Sequence, residues 1–500
     1  MAKQSINIGT SANDGTGSTL REAFDICNDN FTELYGGTTS ALGFKSEGTN
    51  FTGSLLIGHS TTGVISSAEE NTGVGIGALD ALTTGGSNVA VGYNAGTSIN
   101  SGASNVVVGF AAGDALSSGS QNVAIGRNSL TTEDTGSRNT AIGRGTLQNL
   151  NFNGNGYNVA VGYNAGLNVT TGTQNTLIGS AAGDAVTTGE FNVAMGYNAL
   201  SSATDTDQSV AIGHNALAAL NYSGDSNNTA VGHNAGASVV YGIKNTLLGA
   251  FAGDALTDGQ KNVAVGYNAL STEDGHGRNV AVGHETLKNL NAGVDAYNVA
   301  VGYDAGLSVT SGAQNTLIGG LAGDALTVGE RNTALGYSAL SAEDTGGHNT
   351  GIGYRALSQL NYDGNGYNTA LGSDAGRKVS TGVQNTILGA TAGDALTTGS
   401  DNVAIGYAAM TTDDAGGRNV AVGAFALRMQ NGGDANVYNI GIGYGAGSSM
   451  TSGTLNTIIG GNAGDSLTTG SSNIAIGYNA LLTEDTGQAN IAIGQGALQN

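Results

Sequence analysis

The chain of 500 residues has no proline, no tryptophan and a single cysteine. One cysteine, Cys27, excludes a disulfide framework and any metal site made of several thiolates. Charged residues are only 11% of the chain, against about 25% in ordinary domains. Lys and Arg total 16 against 38 Asp and Glu, for a net charge of −22. That balance disfavours nucleic acid and anionic membrane surfaces as partners, because both demand clustered basic residues. No run of 18 apolar residues exists, so no membrane-inserted helix is expected. The segment from Met1 to Asn7 lacks the apolar core of a signal peptide, so the chain is expected to be made in a cytoplasm and not exported by that route. What is abundant is glycine, 86 of 500 residues, far above the usual ~7%.

The glycines belong to a repeat. Asn88-Val89-Ala90-Val91-Gly92 recurs at Asn105 and at Asn122, and 25 such units run from Asn71 to the one starting at Asn490. A degenerate unit precedes them at Ser54. Gly holds the fifth position in all 25 units, and Asn holds the first in all but the one beginning at Ser209. The steps run 17, 17, 17 and 19, so a higher period of 70 residues relates Asn88, Asn158, Asn228, Asn298 and Asn368. β-Branched or long apolar residues at the second and fourth positions, closed by Gly, define a short strand. A 17-residue period broken by glycines is too short for a helical repeat. The expected fold is all-β: a parallel β-solenoid or β-roll of about 25 coils over residues 54–500. At the strand spacing of ~4.8 Å such a stack is about 120 Å long. The missing proline agrees, because each coil must donate its N–H groups to a neighbour. The Asn column is compatible with a stacked amide ladder and with simple tolerance of turn geometry.

The third strand position points away from the second and fourth. It is small in most units but large in the second unit of each block: Val107, Leu177, Leu247, Leu317, Ile387 and Ile458. A strand apolar on both faces is a strand buried on both faces. These six residues are therefore expected to form an interface between copies of the chain. Residues 1–37 differ from the rest. Thr19-Leu20-Arg21-Glu22 is a capping box, and Leu20, Phe24, Cys27, Phe31 and Leu34 follow at heptad spacing, so a short helix with that seam is expected. Residues 38–53 form a Gly/Ser/Thr linker.

The unit Ser209-Val210-Ala211-Ile212-Gly213-His214-Asn215-Ala216 resembles the head repeat of trimeric autotransporter adhesins, although 17 residues exceed that repeat by a few. It also resembles the repeats of phage tail fibres, in which a self-cleaving chaperone domain often follows. The resemblance implies a left-handed roll with three chains about one axis, hence a homotrimer. The stretches Asn7 to Gly17 and Asn28 to Tyr35 resemble the N-terminus of tailed-phage virion proteins, including structural proteins of contractile-tailed phages that infect cyanobacteria. That likeness implies attachment to other virion proteins through residues 1–37, and a place on the virion. The expected function is a structural tail, neck or baseplate fibre that contributes to host-surface adhesion. A cellular trimeric adhesin and a polysaccharide-degrading tailspike are the alternatives. The unit at Asn490 stops after 11 residues, so the shaft is expected to be continued by a tip, a chaperone domain or another protein.

Enzymatic chemistry needs a unique constellation, and nearly everything here recurs. The pairs Glu133/Asp134, Glu273/Asp274, Glu343/Asp344, Asp413/Asp414 and Glu484/Asp485 are expected to be solvated corner charges rather than glycosidase carboxylates. The column Asp114, Asp184, Asp254, Asp324, Asp394 and Asp465 is expected to cap corners. The six histidines fall mostly where other units carry Tyr. No catalytic residue, metal ligand or cofactor is expected. Aromatic residues in the long fourth-unit loops, Phe152, Tyr157, Tyr222, Tyr297, Tyr362, Tyr367 and Tyr438, are candidates for stacking on a host glycan.

Overall fold

Each unit makes one turn of a parallel β-solenoid in the computed structural model, which describes residues 44–46, 52–58, 66–433 and 436–499. The proposed helix seam (Leu20, Phe24, Cys27, Phe31 and Leu34) and most of the expected linker lie outside the described residues. The chain divides into two compact units, Met1–Asp207 and Gln208–Asn500, and the same construction serves in each. In the first, three-residue strands from Leu55–Ile57 to Val193–Met195 pair in parallel, each with its successor. In the second, the series runs from Val210–Ile212 to Ile491–Ile493. Register is residue on residue: Ala90 lies beside Val107, and Ala281 beside Ala300 across the 19-residue step. One strand breaks the pattern. Phe44–Ser46, inside the stretch expected to be linker, runs antiparallel to Leu55–Ile57.

The fifth-position glycine is obligatory for two reasons. Gly92 has φ 136°, a conformation that side chains rarely adopt. A Cβ there would also lie 2.4 Å from the carbonyl oxygen of Gly109 in the next coil. The Asn column is an amide ladder. Asn88 Oδ1 accepts the backbone N–H of Asn105 at 3.0 Å, while Asn88 Nδ2 donates to Gly102 O at 2.9 Å. The same rungs repeat in the second unit, as in Asn262 to Asn279 and Asn456 to Asn473. Ser54 Oγ supplies the rung for Asn71 at 2.7 Å. The turn geometry falls on the preceding residue, since Ser87, Arg138 and Tyr157 have φ of 58°, 64° and 51°. The Asn residues are thus kept for their side-chain amides, which satisfy buried backbone groups that would otherwise cost about 1–3 kcal/mol each.

The six large third-position residues are not where the sequence reasoning put them. Val107, Leu177, Leu247, Leu317, Ile387 and Ile458 are 0% exposed within the single chain, in the coil's own core. The reason is volume. In the third and fourth units of a block a small third residue goes with a large ninth one, as with Ala124 and Leu130 or Ala141 and Leu147, all buried. The first two units of each block carry Gly at the ninth. A Cβ on Gly166 or Gly183 would lie 2.7 Å from a δ-methyl of Leu177. Gly306 and Gly323 stand in the same relation to Leu317. One large side chain therefore fills the space left by two glycines, and the 70-residue period is a packing period.

Candidate functional surface

With the third position turned inward, the second and fourth positions turn outward. In the first unit the outward columns include Val89, Val106, Val123, Thr140 and Val159 beside Val91, Val108, Ile125, Ile142 and Val161. These side chains are half-buried to exposed, and no charge interrupts them. In the second unit Leu248, Leu335, Leu371 and Ile442 are exposed on the same face. Parallel sheets are ordinarily covered on both faces, and a long uncharged apolar strip marks an interaction site.

An aromatic column borders this face, one or two residues after the strand glycine. Tyr93 stacks on Phe110 with ring centroids 5.3 Å apart. Arg127 lies over Phe110 and Arg144 over Tyr163, each at 5.5 Å. In the second unit the series His214, His233, Phe251, Tyr267, His284 and Tyr303 is continuous, each ring 5.1 to 6.1 Å from the next. These rings pack on one another along the solenoid, an arrangement worth about 0.5–1.5 kcal/mol per pair beyond burial.

The loop aromatics have partners that sequence reasoning missed. Tyr157, Tyr297, Tyr367 and Tyr438 are exposed and left-handed in φ. Arg138, Arg278 and Arg418 lie over the rings of Tyr157, Tyr297 and Tyr438 at 5.3 to 5.5 Å. His348 packs 5.0 Å from Tyr367. The signal was available: Arg138, Arg278, His348 and Arg418 each directly precede the fourth-unit Asn, at multiples of 70 residues, with Gln208 in the remaining block. Tyr362 is also exposed, whereas Phe152 and Tyr222 are half-buried. Beside Arg278 lies a polar pocket lined by Asp258, Gln260, Lys261, Gly277, Arg278 and Asp295, with Arg278 paired to Asp295.

The carboxylate pairs were expected to be solvated, and the structure corrects this for four of them. Glu133, Glu273, Glu343 and Asp413 are fully buried. They stand at the twelfth position, a core column otherwise filled by Ile99, Leu116, Leu150 and Val169. Their oxygens close turns: Glu133 Oε1 accepts Gly136 N–H at 2.7 Å and Oε2 accepts Phe152 N–H at 3.2 Å. Burial pushes Glu133 and Glu273 up, Glu343 to about 7 and Asp413 to about 6. Of the Asp column, Asp114, Asp184, Asp254, Asp324 and Asp394 are raised by burial. Oδ1 of Asp184, Asp254 and Asp324 is buried without a hydrogen-bond partner. Among the described residues, no helix is long and apolar enough to cross a membrane. No family model matches the chain, and no curated protein matches it.

Proposed function

We propose that the protein is a structural fibre component of a virion. Three copies pack through their outward strand faces into a shaft, residues 1–37 join it to other virion proteins, and exposed tyrosines meet host-surface glycan. The observation that carries this reading is the uncovered, uncharged strand face, for which another copy of the same chain is the simplest matching cover. Coil after coil presents Val, Ile or Thr at the second position and Val, Ile, Leu or Met at the fourth, at the same spacing. The arginine–tyrosine pairs Arg138/Tyr157, Arg278/Tyr297 and Arg418/Tyr438, whose arginines are 140 residues apart, add a repeated, weak contact of the kind that gains strength by multivalency. A polysaccharide-cleaving role is disfavoured by the carboxylate pairs, since Glu133, Glu273, Glu343 and Asp413 are buried and occupied as turn acceptors.

Two measurements test the reading. Sedimentation velocity of the purified full chain should give three times the 49.3 kDa chain mass. Mass spectrometry and negative-stain imaging of purified virions should place the protein on a fibre. A monomer in solution, or release of reducing ends from host polysaccharide that one carboxylate substitution abolishes, would overturn it.

A further inference from the structure

We propose that His284, Glu285 and Asp304 form a divalent transition-metal site, of a chemistry suited to Zn2+, that clamps two successive coils. The first two residues sit on one coil and the third on the next. Their ligand atoms all lie within 4.8 Å of one another. His284 Nδ1 stands 3.4 Å from Asp304 Oδ1. That is long for a hydrogen bond, which is best at 2.7–3.2 Å. It equals the edge of a tetrahedron with ligands about 2.1 Å from its centre, roughly 3.4 Å. The ring of His284 is held in place between Tyr267 and Tyr303, at 5.4 and 5.1 Å. Lys288 Nζ lies 2.9 Å from Glu285 Oε1 and orients that carboxylate.

The repeat itself supplies a control. Seventy residues further on, the same positions hold Arg355 and Asp374, and Arg355 Nε lies 3.5 Å from Asp374 Oδ1. There Arg377 also reaches both Asp374 and Asp394, at 3.8 Å. In the block that holds His284 the counterparts of Arg355, Arg377 and Lys378 are Glu285, Leu307 and Ser308, while the acids persist as Asp304 and Asp324. Arg377 and Lys378 are peculiar to the Arg355 block, since the same places elsewhere hold pairs such as Thr97-Ser98, Leu167-Asn168 and Ala237-Ser238, and the carboxylate of Glu285 is met in its own coil by Lys288 where the other block has Ser358. Asp374 thus has two arginine partners in one block, whereas Asp304 in the other has His284. At the corresponding positions the other blocks offer Arg144, Gly145 and Asn164, or His214, Asn215 and Asn234, so three donors meet here alone among these blocks. The other cluster of donors, Glu273, Asp274 and His276, does not compete. Both Glu273 oxygens accept backbone N–H groups, from His276 at 3.2 Å and Ala292 at 3.4 Å. Imidazole with two carboxylates suits Zn2+, and three protein ligands leave one position open.

The test uses the full chain, freed of metal by EDTA and dialysed against Zn2+ at pH 7.5, with bound metal counted by mass spectrometry. One Zn2+ per chain is expected in the wild type. Co2+ should give visible absorption of a nitrogen- and oxygen-liganded ion. His284→Ala and Asp304→Asn should each weaken binding by about tenfold or more. Circular dichroism and melting in EDTA should match the wild type. If Asp304→Asn disturbs the fold, His284→Ala on its exposed ring decides. No Zn2+ bound at free concentrations up to about 100 μM, binding unchanged in both variants, or binding of Ca2+ in preference to Zn2+, would overturn the proposal.

Discussion

Glu343 offers a measurement in which the sign of the effect is set by where the carboxyl lies. Its side chain is fully buried in a column that other coils fill with Leu or Val. Desolvation lifts its pKa from 4.5 to about 7, against the opposing hydrogen bonds from Gly346 and Tyr362. A raised acid pKa means that the folded chain binds the proton more tightly than the unfolded chain. The stability contributed by this group is therefore greatest below pH 4.5, falls as pH rises towards 7, and is lost above that. At 1.36 kcal/mol per pKa unit the difference amounts to about 3 kcal/mol. Glu343→Gln removes the charge and keeps Oε1 as the acceptor for Gly346 N–H, now 2.7 Å away. It gives up the 3.5 Å contact with Tyr362 N–H, which is worth about 1 kcal/mol at most. The variant should then be more stable than the wild type at pH 8 by about 2 kcal/mol, and equal or slightly weaker at pH 5. A solenoid need not unfold in one step, so the local readout is hydrogen exchange of the segment from Asp344 to Tyr362 at both pH values. A variant that exchanges faster than the wild type at pH 8, or a wild type and variant with the same pH dependence, would refute the reasoning.

Other outcomes follow from the same geometry. Leu177→Ala should destabilise the chain by about 2–5 kcal/mol through the cavity it leaves beside Gly166 and Gly183, with no change in oligomeric state by sedimentation. The double substitution Val89→Lys and Val91→Lys should do the reverse, leaving the far-ultraviolet spectrum and melting nearly unchanged while shifting the sedimentation coefficient towards the monomer. Asn262→Ala strips the acceptor of Asn279 N–H and the donor to His276 O. It should cost about 1–3 kcal/mol, seen as faster exchange confined to the neighbouring coils.

The period, strand positions and parallel pairing were legible because they are repeated, and repetition averages away local exceptions. Val or Thr at the second position and Gly at the fifth recur until only a strand followed by a tight turn accounts for them. The direction in which the strand faces was not legible. Alternation places the second and fourth positions on one side and the third on the other, but with apolar residues on both sides it does not say which side is the interior. The deciding signal was in the sequence at another position. Leu177 and Gly183 covary with Ala124 and Leu130: large with small, small with large, as two side chains sharing one space must. The buried acids were missed for a related reason. Glu133 was judged with its neighbour Asp134 as a pair on a turn, when it belongs with Ile99, Leu116 and Leu150 in a column seventeen residues apart.

Columns, not neighbours, are the unit of meaning in such a chain, and they separate what builds the fold from what departs from it. A position that keeps one residue type in every coil, such as Gly92 and its equivalents, answers to the backbone. A position that alternates in step with another, such as the third with the ninth, answers to packing. What is left are positions that break both rules in a single block. Glu285, where the other blocks hold Gly145, Asn215, Arg355 and Phe425, is such a break. The coil around it is otherwise unchanged: Ala300 pairs with Leu317 as Ala370 pairs with Ile387. The altered charge of Glu285 is met in its own coil by Lys288, while Asp304 is left without the arginine partners that Asp374 has. A solenoid in this way isolates local chemistry from fold, and a single irregular block carries more functional information than the regular blocks that surround it.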